Sequence, residues 1–257
     1  MRNPFTLLIT AAGAGSRFTK EGLLTPKPLI KVQGRTLLEH TLESFNLEAN
    51  DTVLITTQRV HCLPAQLGDK LQQMFPKTRV QWLELDQLLP GQLATAQAST
   101  DHWLQNKDAK INPINPLLIH NCDTGFQWHP HCLPINTDAS MPVFKAQGDH
   151  WSFGQPDPSN PIKAIAIAEK KRISDLASIG LYGFKSMELF HQLAKKQLKS
   201  SETVRGEHYI APMLEKLIKQ GKHVSLPRIN GVRLYGTPAE LLNTFDISMQ
   251  DLLADNA

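Results

Sequence analysis

A glycine-rich segment with one arginine and one proline-flanked lysine follows the first apolar run of the chain. The segment, AAGAGSRFTKEGLLTPKPL at 11–29, comes directly after FTLLIT. Glycines let main-chain N–H groups approach an anion closely, and the charges of Arg17 and Lys27 would attract phosphate oxygens. We therefore expect a triphosphate to bind at the turn, which is formed by Ala12, Gly13, Ala14 and Gly15.

The spacing of this segment differs from that of two common phosphate-binding motifs. No GxxxxGK[ST] sequence is present, and Phe18 stands where GxGxxG requires its third glycine. A tight turn between a strand and a helix is the simpler interpretation of two glycines after an apolar run. The added Arg17 and the sequence PKPL at 26–29 favour a nucleotide site over such a turn.

Several segments occur in an order that resembles the sugar nucleotidyltransferases, the family of sugar-1-phosphate pyrophosphorylases. That family opens with GxGxR and, after a spacer, PKPL, as this chain does at Gly13–Arg17 and 26–29. The further similar segments are LPGQLATAQA (89–98), IHNCDT (119–124), WSFGQ (151–155), AIAEKKRISD (166–175), SIGLYGFKS (178–186), GEHYIAPMLEKLI (206–218) and YGTPAELL (235–242). The resemblance covers nearly the whole chain, and its first motif is the most specific.

The resemblance implies that the nucleotide and a metal ion bind near the opening motif. Gly91 would pack beside the base, although a glycine also suits a helix N-terminus, and Asp123 would bind Mg²⁺. The implied reaction joins a nucleoside triphosphate to a sugar 1-phosphate or a similar phosphate, releases pyrophosphate, and supplies a nucleotide sugar for surface polysaccharide synthesis. A phosphate monoester is already a nucleophile, so no general base is needed, and Arg17 or Lys27 would take up the charge of the leaving pyrophosphate.

The resemblance places the acceptor site farther along the chain. Phe153 and Gly154 would lie over the sugar. Glu169 would contact sugar hydroxyls, and Lys170 would bind the sugar phosphate as the fourth catalytic residue. A charge run such as EKKR is usually solvent-exposed, and this alternative stays open. Ligands of doubly wound sheets bind beyond the C-terminal strand ends, which would bring this pair to the same crevice as the opening motif.

One position departs from the family pattern. The family usually has an aspartate two residues before its C-terminal Gly-Thr-Pro, where it supplies a second metal carboxylate, but this chain has Leu234 in VRLYGTP. A leucine cannot bind Mg²⁺, so we expect Asp123 to be the one certain protein ligand and the metal to arrive with the nucleotide. The alternatives are that Glu207, Glu240 or Asp246 substitutes, or that catalysis has been lost.

Length and composition limit the class of protein. The chain has 257 residues, of which 41% are hydrophobic, and this suits a single nucleotidyltransferase domain over residues 1–257. The net charge of +3 is small and the basic residues are scattered, so we expect no nucleic-acid partner. Three cysteines without a disulfide pattern, and no signal peptide or membrane span, predict a cytoplasmic protein without a membrane partner. The sequence is also compatible with a homo-oligomer.

Short apolar runs alternate with helix-like segments, which predicts an α/β fold. We expect a Rossmann-like, doubly wound, mostly parallel mixed sheet, which the resemblance makes a GT-A-like nucleotidyltransferase fold. Strands are predicted at 6–10, 52–56, 79–85, 116–121, 142–146, 163–169 and 178–185. Helices are predicted at 36–45, 91–104, 186–198, 207–221 and 238–254, and loops at 106–115 and 148–161.

The sequence also allows three alternative functions. Zinc could bind the cluster formed by His120, Cys122, His129, His131 and Cys132. The cluster lacks CxxC and HxxxH spacing, which argues against zinc. A GT-A glycosyltransferase could use Asn-Cys-Asp at 121–123 as a depleted metal motif, although a diphosphate donor needs no triphosphate turn. A non-catalytic module that binds a nucleotide or a sugar phosphate would explain the departure near the C-terminus.

Overall fold

The computed structural model describes residues 2–106, 111–200 and 202–256. Its strands are β1 (Thr6–Thr10), β2 (Lys31–Val32), β3 (Arg35–Thr36), β4 (Thr52–Gln58), β5 (Arg79–Leu85), β6 (Leu117–Asn121), β7 (Thr124–Gly125), β8 (Ala139–Ser140), β9 (Val143–Lys145), β10 (Ser152–Asp157), β11 (Asn160–Glu169), β12 (Leu176–Ser178), β13 (Leu181–Phe184), β14 (Val224–Ser225) and β15 (Arg233–Leu234). Its helices are α1 (Ser16–Lys20), α2 (Leu37–Leu42), α3 (Leu63–Met74), α4 (Gly91–Gln105), α5 (Met187–Leu198), α6 (Ala211–Lys219), α7 (Pro238–Phe245) and α8 (Met249–Asp255).

Within the described residues, eleven strands form one mixed sheet in the order β5-β4-β1-β6-β13-β8-β14-β11-β10-β12-β9. The four strands at one end, β5, β4, β1 and β6, are parallel. Beyond them β13 pairs antiparallel with β6, and the strands from β11 to β9 are also antiparallel to their neighbours. The short strands β7 and β15 form a separate ladder, as do β2 and β3.

Strand β1 is buried on both faces of the sheet. Leu7, Leu8 and Ile9 are all fully buried. Leu8 packs among residues of α4, α5 and α6, whereas Leu7 and Ile9 pack among residues of α2 and α3. A strand covered by helices on both faces needs apolar residues at successive positions, which explains the continuous run in the sequence. The predicted doubly wound α/β fold is confirmed.

Two of the longer elements, α3 and β10, are not among the predicted ones because the local patterns were ambiguous. No helix is predicted at α3, although its Leu63, Leu67 and Leu71 recur at four-residue spacing and are buried. Strand β10 lies within the loop predicted at 148–161, because residues from Ser152 onward pair antiparallel with β11. The turn residues of that segment form the hairpin between the two strands.

Two predicted elements are interrupted by left-handed backbone. The strand predicted at 178–185 is divided into β12 and β13, since Gly180 between them has a φ of 77°. The helix predicted at 238–254 is divided into α7 and α8, since Asp246 has a φ of 52° and Ser248 caps a new helix. The helix predicted at 207–221 begins only with α6. In the loop predicted at 106–115, residues 107–110 lie outside the described residues.

The C-terminal ends of β1 and β6 lie side by side, with Thr10 opposite Asn121. The glycine-rich turn follows β1, and Asp123 follows β6. The fold therefore brings the glycine-rich turn and Asp123 to the edge where doubly wound sheets bind ligands. Among the described helices, none has the length and apolar character that crossing a membrane requires.

Candidate functional site

The glycine-rich turn connects the end of β1 to α1. Gly15 precedes α1 with a φ of 63°, a left-handed conformation that glycine adopts without strain. In the part of the chain that the structure describes, the main-chain N–H groups of Gly13, Ala14 and Gly15 donate no hydrogen bond. An ideal Cβ on Gly13 would meet no atom within 4 Å, so this side of the turn is open. The turn can therefore offer its donors to an anion.

Lys27 packs directly against this turn. It begins a 3₁₀ turn that follows Pro26 and contains Pro28, so its backbone is stiff. An ideal Cβ on Gly15 would lie only 3.3 Å from Lys27 Cβ. A side chain at Gly15 would thus be both strained and crowded, which explains why the two parts of the motif occur together.

The Lys27 ammonium is bound to Asp123. Its Nζ lies 2.5 Å from Asp123 Oδ2 and 3.1 Å from the main-chain oxygen of Gly236. Burial by itself would raise the pKa of Asp123, but the Lys27 ammonium outweighs burial and holds that pKa below its usual range. Asp123 is therefore an ionised carboxylate at neutral pH, and Lys27 balances its charge.

The C-terminal segment YGTP lies beside Asp123. Strands β7 and β15 pair antiparallel, which places Leu234 opposite Thr124. The main-chain N–H of the next residue, Tyr235, donates to the main-chain oxygen of Asp123 at 3.1 Å. The position where the family usually has an aspartate is thus adjacent to the Asp123 segment, and in this chain it is apolar.

Oxygen atoms suited to a hard divalent cation lie near Gly236 and in the cavity that contains Asp123. An ideal Cβ on Gly236 would lie 3.2 Å from Glu240 Oε2 and 3.4 Å from Asp123 Oδ2, so the glycine leaves a cradle between two carboxylates. Asn121 Oδ1 is buried without a hydrogen-bond partner among the described residues, and Asn121 lines the same cavity as Asp123. Carboxylate and amide oxygens are ligands that Mg²⁺ accepts, so these residues fit the metal.

A cavity of about 560 Å³ contains this site. Its volume is that of an ordinary small-molecule site. The predicted site residues that line it are Ala12, Gly13, Ala14, Gly15, Arg17, Lys27, Gly91 and Asp123. The further polar residues that line it, for which no nucleotide contact was predicted, are Thr10, Ser16, Gln92, Thr95, Asn121 and Glu207. The sequence signal for Thr10 and Asn121 was available, because each ends a strand at this edge.

Gly91 begins α4 and faces a separate loop. Its φ is 89°, and an ideal Cβ would lie 3.2 Å from the main-chain oxygen of His208. Glycine is therefore required here by both conformation and close approach. The predicted contact between Gly91 and a base stays a prediction.

The pair predicted to bind the acceptor, Glu169 and Lys170, lies at the end of β11. Glu169 lines a second cavity of about 500 Å³. Its Oε2 accepts a hydrogen bond from Ser152 Oγ, while burial raises the pKa of Glu169. Lys170 Nζ donates to Tyr209 Oη, and Tyr209 lines this cavity. Glu207 lines both cavities and so marks their boundary.

Tyr209 is not among the predicted site residues, and Glu207 is predicted only as a substitute metal ligand. The segment GEHYI at 206–210 gave an indication of a site, since the polar residues Glu207 and Tyr209 precede the apolar pattern of a helix. Such residues at the entrance to a helix commonly face solvent, so the signal was weak.

Phe153 and Gly154 line neither of the two cavities. Phe153 is fully buried against Ala146 and Ala177. An ideal Cβ on Gly154 would lie 2.6 Å from Leu226 Cδ2. The expectation that the Phe153 ring lies over a sugar is therefore corrected: the ring is enclosed in the core, where it packs with small side chains.

The residues of the zinc alternative do not form a metal site. His120 is fully buried, and its ring nitrogens lie 3.0 Å from the main-chain oxygens of Gly180 and Thr124. Cys122 and Cys132 are buried, and burial raises the pKa of each thiol to about 12. Among the described residues, no group of three or more His, Cys, Asp and Glu side chains could hold a metal ion.

Comparison with known proteins gives one matching family model and a set of similar structures. Residues 7–131 match the model of the MobA-like NTP transferase domain. A nucleoside-diphosphate-sugar pyrophosphorylase from Vibrio cholerae RC9 is 27% identical, with a TM-score of 0.83, and the match covers 94% of this chain and 100% of that one. The matched family region contains the glycine-rich turn, Lys27, Gly91 and Asp123, which are the residues that meet in the first cavity.

More distant structures share the fold. A Bacillus anthracis structure described as a glucose-1-phosphate thymidylyltransferase is 19% identical, with a TM-score of 0.72 and 94% coverage of both chains. The inositol-1-phosphate CTP transferase of T. maritima is 13% identical, with a TM-score of 0.66, and covers 99% of this chain and 96% of its own. No curated protein matches. The resemblance to the sugar nucleotidyltransferases is confirmed, since the family model matches residues 7–131 and a nucleoside-diphosphate-sugar pyrophosphorylase matches nearly the whole chain.

Proposed function

We propose, from its similarity to the sugar nucleotidyltransferases, that this chain transfers a nucleotidyl group from a nucleoside triphosphate to a sugar 1-phosphate or a similar phosphate. The products are a nucleotide sugar and pyrophosphate, and the nucleotide sugar would serve as a glycosyl donor for polysaccharide synthesis. The observation that carries the proposal is the convergence of the open glycine-rich turn, Lys27 and Asp123 in one cavity. We take residues 1–257 as a single domain, because one sheet carries both parts of the site.

The nucleotide is bound by the first cavity. The main-chain N–H groups of Gly13, Ala14 and Gly15 donate to the triphosphate, and Arg17, which is exposed in the cavity wall, adds positive charge. Lys27 would exchange its contact with Asp123 for phosphate oxygens as the leaving pyrophosphate gains charge. Catalysis then comes from orientation and charge stabilisation, since the acceptor phosphate is itself the nucleophile.

The metal proposed for this site is Mg²⁺, held by Asp123. Glu240 is the nearest carboxylate across the Gly236 cradle, and it is therefore the best of the substitutes for the aspartate absent at Leu234. Asp246 instead ends α7, and Glu207 lies at the cavity boundary. A bound Mg²⁺ would offset phosphate charge when present.

The acceptor binds on the side of Glu169 and Lys170. Lys170 supplies positive charge for the phosphate of the acceptor, and the Glu169 carboxyl group contacts acceptor hydroxyls. Which nucleobase and which sugar or polyol phosphate are used depends on a few pocket contacts. A thermal-shift panel of nucleoside triphosphates and sugar phosphates would select the pair, because a ligand that binds the folded state raises its apparent stability.

Pyrophosphate exchange tests the function. With the selected nucleotide sugar and Mg²⁺, the chain should incorporate labelled pyrophosphate into a nucleoside triphosphate. A GT-A glycosyltransferase would instead release a nucleoside diphosphate in the presence of a sugar acceptor. A binding module would give a thermal shift without either reaction. Exchange that is absent with every nucleotide sugar tested, despite a thermal shift, would refute the proposal.

A further inference from the structure

Lys170, Tyr209 and Glu207 form a continuous hydrogen-bonded chain at the boundary of the two cavities. Lys170 Nζ donates to Tyr209 Oη, and Tyr209 Oη donates to Glu207 Oε2 at 2.5 Å. An ammonium group can only donate hydrogen bonds and a carboxylate can only accept them. The single proton of the tyrosine hydroxyl must therefore point to Glu207, and its oxygen lone pairs must face the lysine.

The ring of Tyr209 contacts the same ammonium group. Lys170 Nζ lies 4.1 Å from the centroid of the ring, which is within the range of a cation–π interaction. The hydrogen bond to the hydroxyl uses one of the three N–H donors of the ammonium group, so the others stay suited to phosphate oxygens. Tyr209 thus restrains the lysine without using its whole binding capacity.

The backbone fixes the other end of the lysine. Lys170 follows β11 with a φ of 51°, and its main-chain N–H donates to the Trp151 oxygen at 2.9 Å. A left-handed conformation is disfavoured for a residue with a Cβ, and it persists here because the β10–β11 hairpin holds it. The next residue, Lys171, is exposed. The hairpin therefore determines where the Lys170 side chain begins, and Tyr209 determines where it ends.

A tight turn fixes the carboxylate end of the chain. Arg205 and Gly206 have φ values of 51° and 81°, the consecutive left-handed residues of a type I′ turn. Main-chain hydrogen bonds of 2.9 and 3.1 Å join Val204 and Glu207 on either side of it. Glu207 is thus held at the cavity boundary by its own backbone, ahead of any ligand.

We propose that Tyr209 is a positioning residue that holds the Lys170 ammonium group toward the acceptor phosphate, with Glu207 orienting the tyrosine hydroxyl. The inference rests on the proposed function, in which Lys170 binds that phosphate. Because the His208 oxygen lies against Gly91, the same loop also touches the nucleotide side. The ligand class assigned to this group is a phosphate monoester dianion.

Competitive labelling measures the contact without any enzymatic activity. Trace acetic anhydride would label wild type and Tyr209→Phe, and peptide mass spectrometry would compare Lys170 with Lys171 in the same sample. The phenylalanine keeps the ring but removes the acceptor oxygen. We expect Lys170 to react several-fold more slowly than Lys171 in wild type, and Tyr209→Phe to speed the labelling of Lys170 alone by about fivefold, as for the loss of one ordinary hydrogen bond.

Inorganic phosphate serves as the probe for positioning. Phosphate should protect Lys170 but not Lys171 in wild type, and Tyr209→Phe should weaken this protection by about fivefold. With an active substrate pair, the same variant should raise the Michaelis constant of the acceptor about fivefold and leave that of the nucleotide within about twofold. Lys171→Met is the matched control and should leave both constants unchanged.

The outcomes test two claims separately: that Tyr209 contacts Lys170, and that this contact positions Lys170 for a phosphate. If Tyr209→Phe leaves the labelling of Lys170 unchanged, the contact is absent and the inference is wrong. If labelling changes but phosphate protection and the acceptor constant do not, Tyr209 only packs against the lysine, and positioning is refuted. If wild type catalyses no exchange, the proposed function fails separately, and phosphate protection still decides whether Tyr209 positions Lys170 for a phosphate.

Discussion

The proposed nucleotide side and the proposed acceptor side of the site differ in how each holds a carboxylate. On the nucleotide side, Asp123 lies in an ion pair with Lys27, which lowers the pKa of the carboxyl group. On the acceptor side, burial raises the pKa of Glu169, although Ser152 donates a hydrogen bond to it. The basic residue next to Glu169, Lys170, instead contacts Tyr209.

This difference follows from the elements that carry the two sides. The nucleotide side is built on the ends of the adjacent parallel strands β1 and β6, so pairing of these strands is enough to bring Asp123 and the glycine-rich turn together. The acceptor side combines the end of a hairpin with the 202–209 loop, and its contacts depend on turn geometry. We infer that Asp123 and Lys27, which a sheet holds together, can exchange their mutual contact for a cation and a phosphate. The position of Lys170 depends instead on a loop, which can differ with the acceptor that is bound.

The largest effect is expected for Asp123→Asn. Loss of the carboxylate removes the proposed metal ligand and the partner of Lys27, so turnover should fall by at least about 100-fold, the scale of losing a preorganised charge in an active site. The measurement is pyrophosphate exchange as a function of Mg²⁺ concentration. Asp149→Asn, at an exposed position in the 148–150 segment, is the matched control.

Leu234→Asp sharpens the same prediction. A carboxylate beside the Asp123 segment should lower the Mg²⁺ concentration needed for half-maximal turnover, since a second ligand increases affinity for a hard cation. Wild type without nucleotide should bind Mg²⁺ weakly in calorimetry because Lys27 occupies the carboxylate. Full Mg²⁺-dependent turnover in Asp123→Asn would show that the metal site lies elsewhere.

Arg17→Ala should reduce turnover by at least about tenfold while the fold stays intact. A charge near a leaving pyrophosphate acts mainly in the transition state, so the turnover number should fall more than the Michaelis constant changes. Lys20→Ala is the control, since Lys20 is an exposed cation on the same helix α1. Turnover equal to wild type at saturating substrate would remove Arg17 from the mechanism.

The sequence supports prediction of the nucleotide side better than the acceptor side for a physical reason. The glycine-rich turn and Asp123 follow the ends of β1 and β6, where an apolar run indicates both the strand and its edge, and Lys27 belongs to the same sequence motif as the turn. Phe153 occurs in an aromatic-glycine pair that suggests a sugar contact, but burial of its ring depends on packing with distant residues such as Ala177. Tyr209 meets Lys170 across a separation along the chain that no local pattern encodes.

Lys170→Ala should raise the Michaelis constant of the acceptor about tenfold, because it removes a charge-assisted hydrogen bond to phosphate. The constant of the nucleotide should change by less than about twofold if the two sides are separate. Initial rates with each substrate varied in turn give both constants, with Lys171→Ala as control. Equal effects on the two substrates would place Lys170 at the triphosphate and would erase the distinction between the sides.

The smallest effect expected is on stability, and it has opposite signs on the two sides. Because the folded-state pKa of Glu169 is raised, its ionisation opposes folding above that pKa, and this cost disappears below the unfolded pKa, where the group is protonated in both states. Glu169→Gln should therefore raise the unfolding midpoint at pH 7–8, by about 2 °C for each kcal/mol gained, and the gain should vanish toward pH 4.

Asp123→Asn should do the reverse. The folded-state pKa of Asp123 is lowered, so its ion pair with Lys27 contributes stability above the unfolded pKa, and this contribution is lost as the pH falls through the folded-state pKa. Asp123→Asn should thus lower the midpoint at neutral pH and have a smaller effect in acid. The measurement is the thermal unfolding midpoint of Glu169→Gln and of Asp123→Asn from about pH 4 to pH 8, with Asp149→Asn as control. Shifts of the same sign would mean that the two carboxylates share one electrostatic environment, and the contrast between a paired and an unpaired carboxylate would then be wrong.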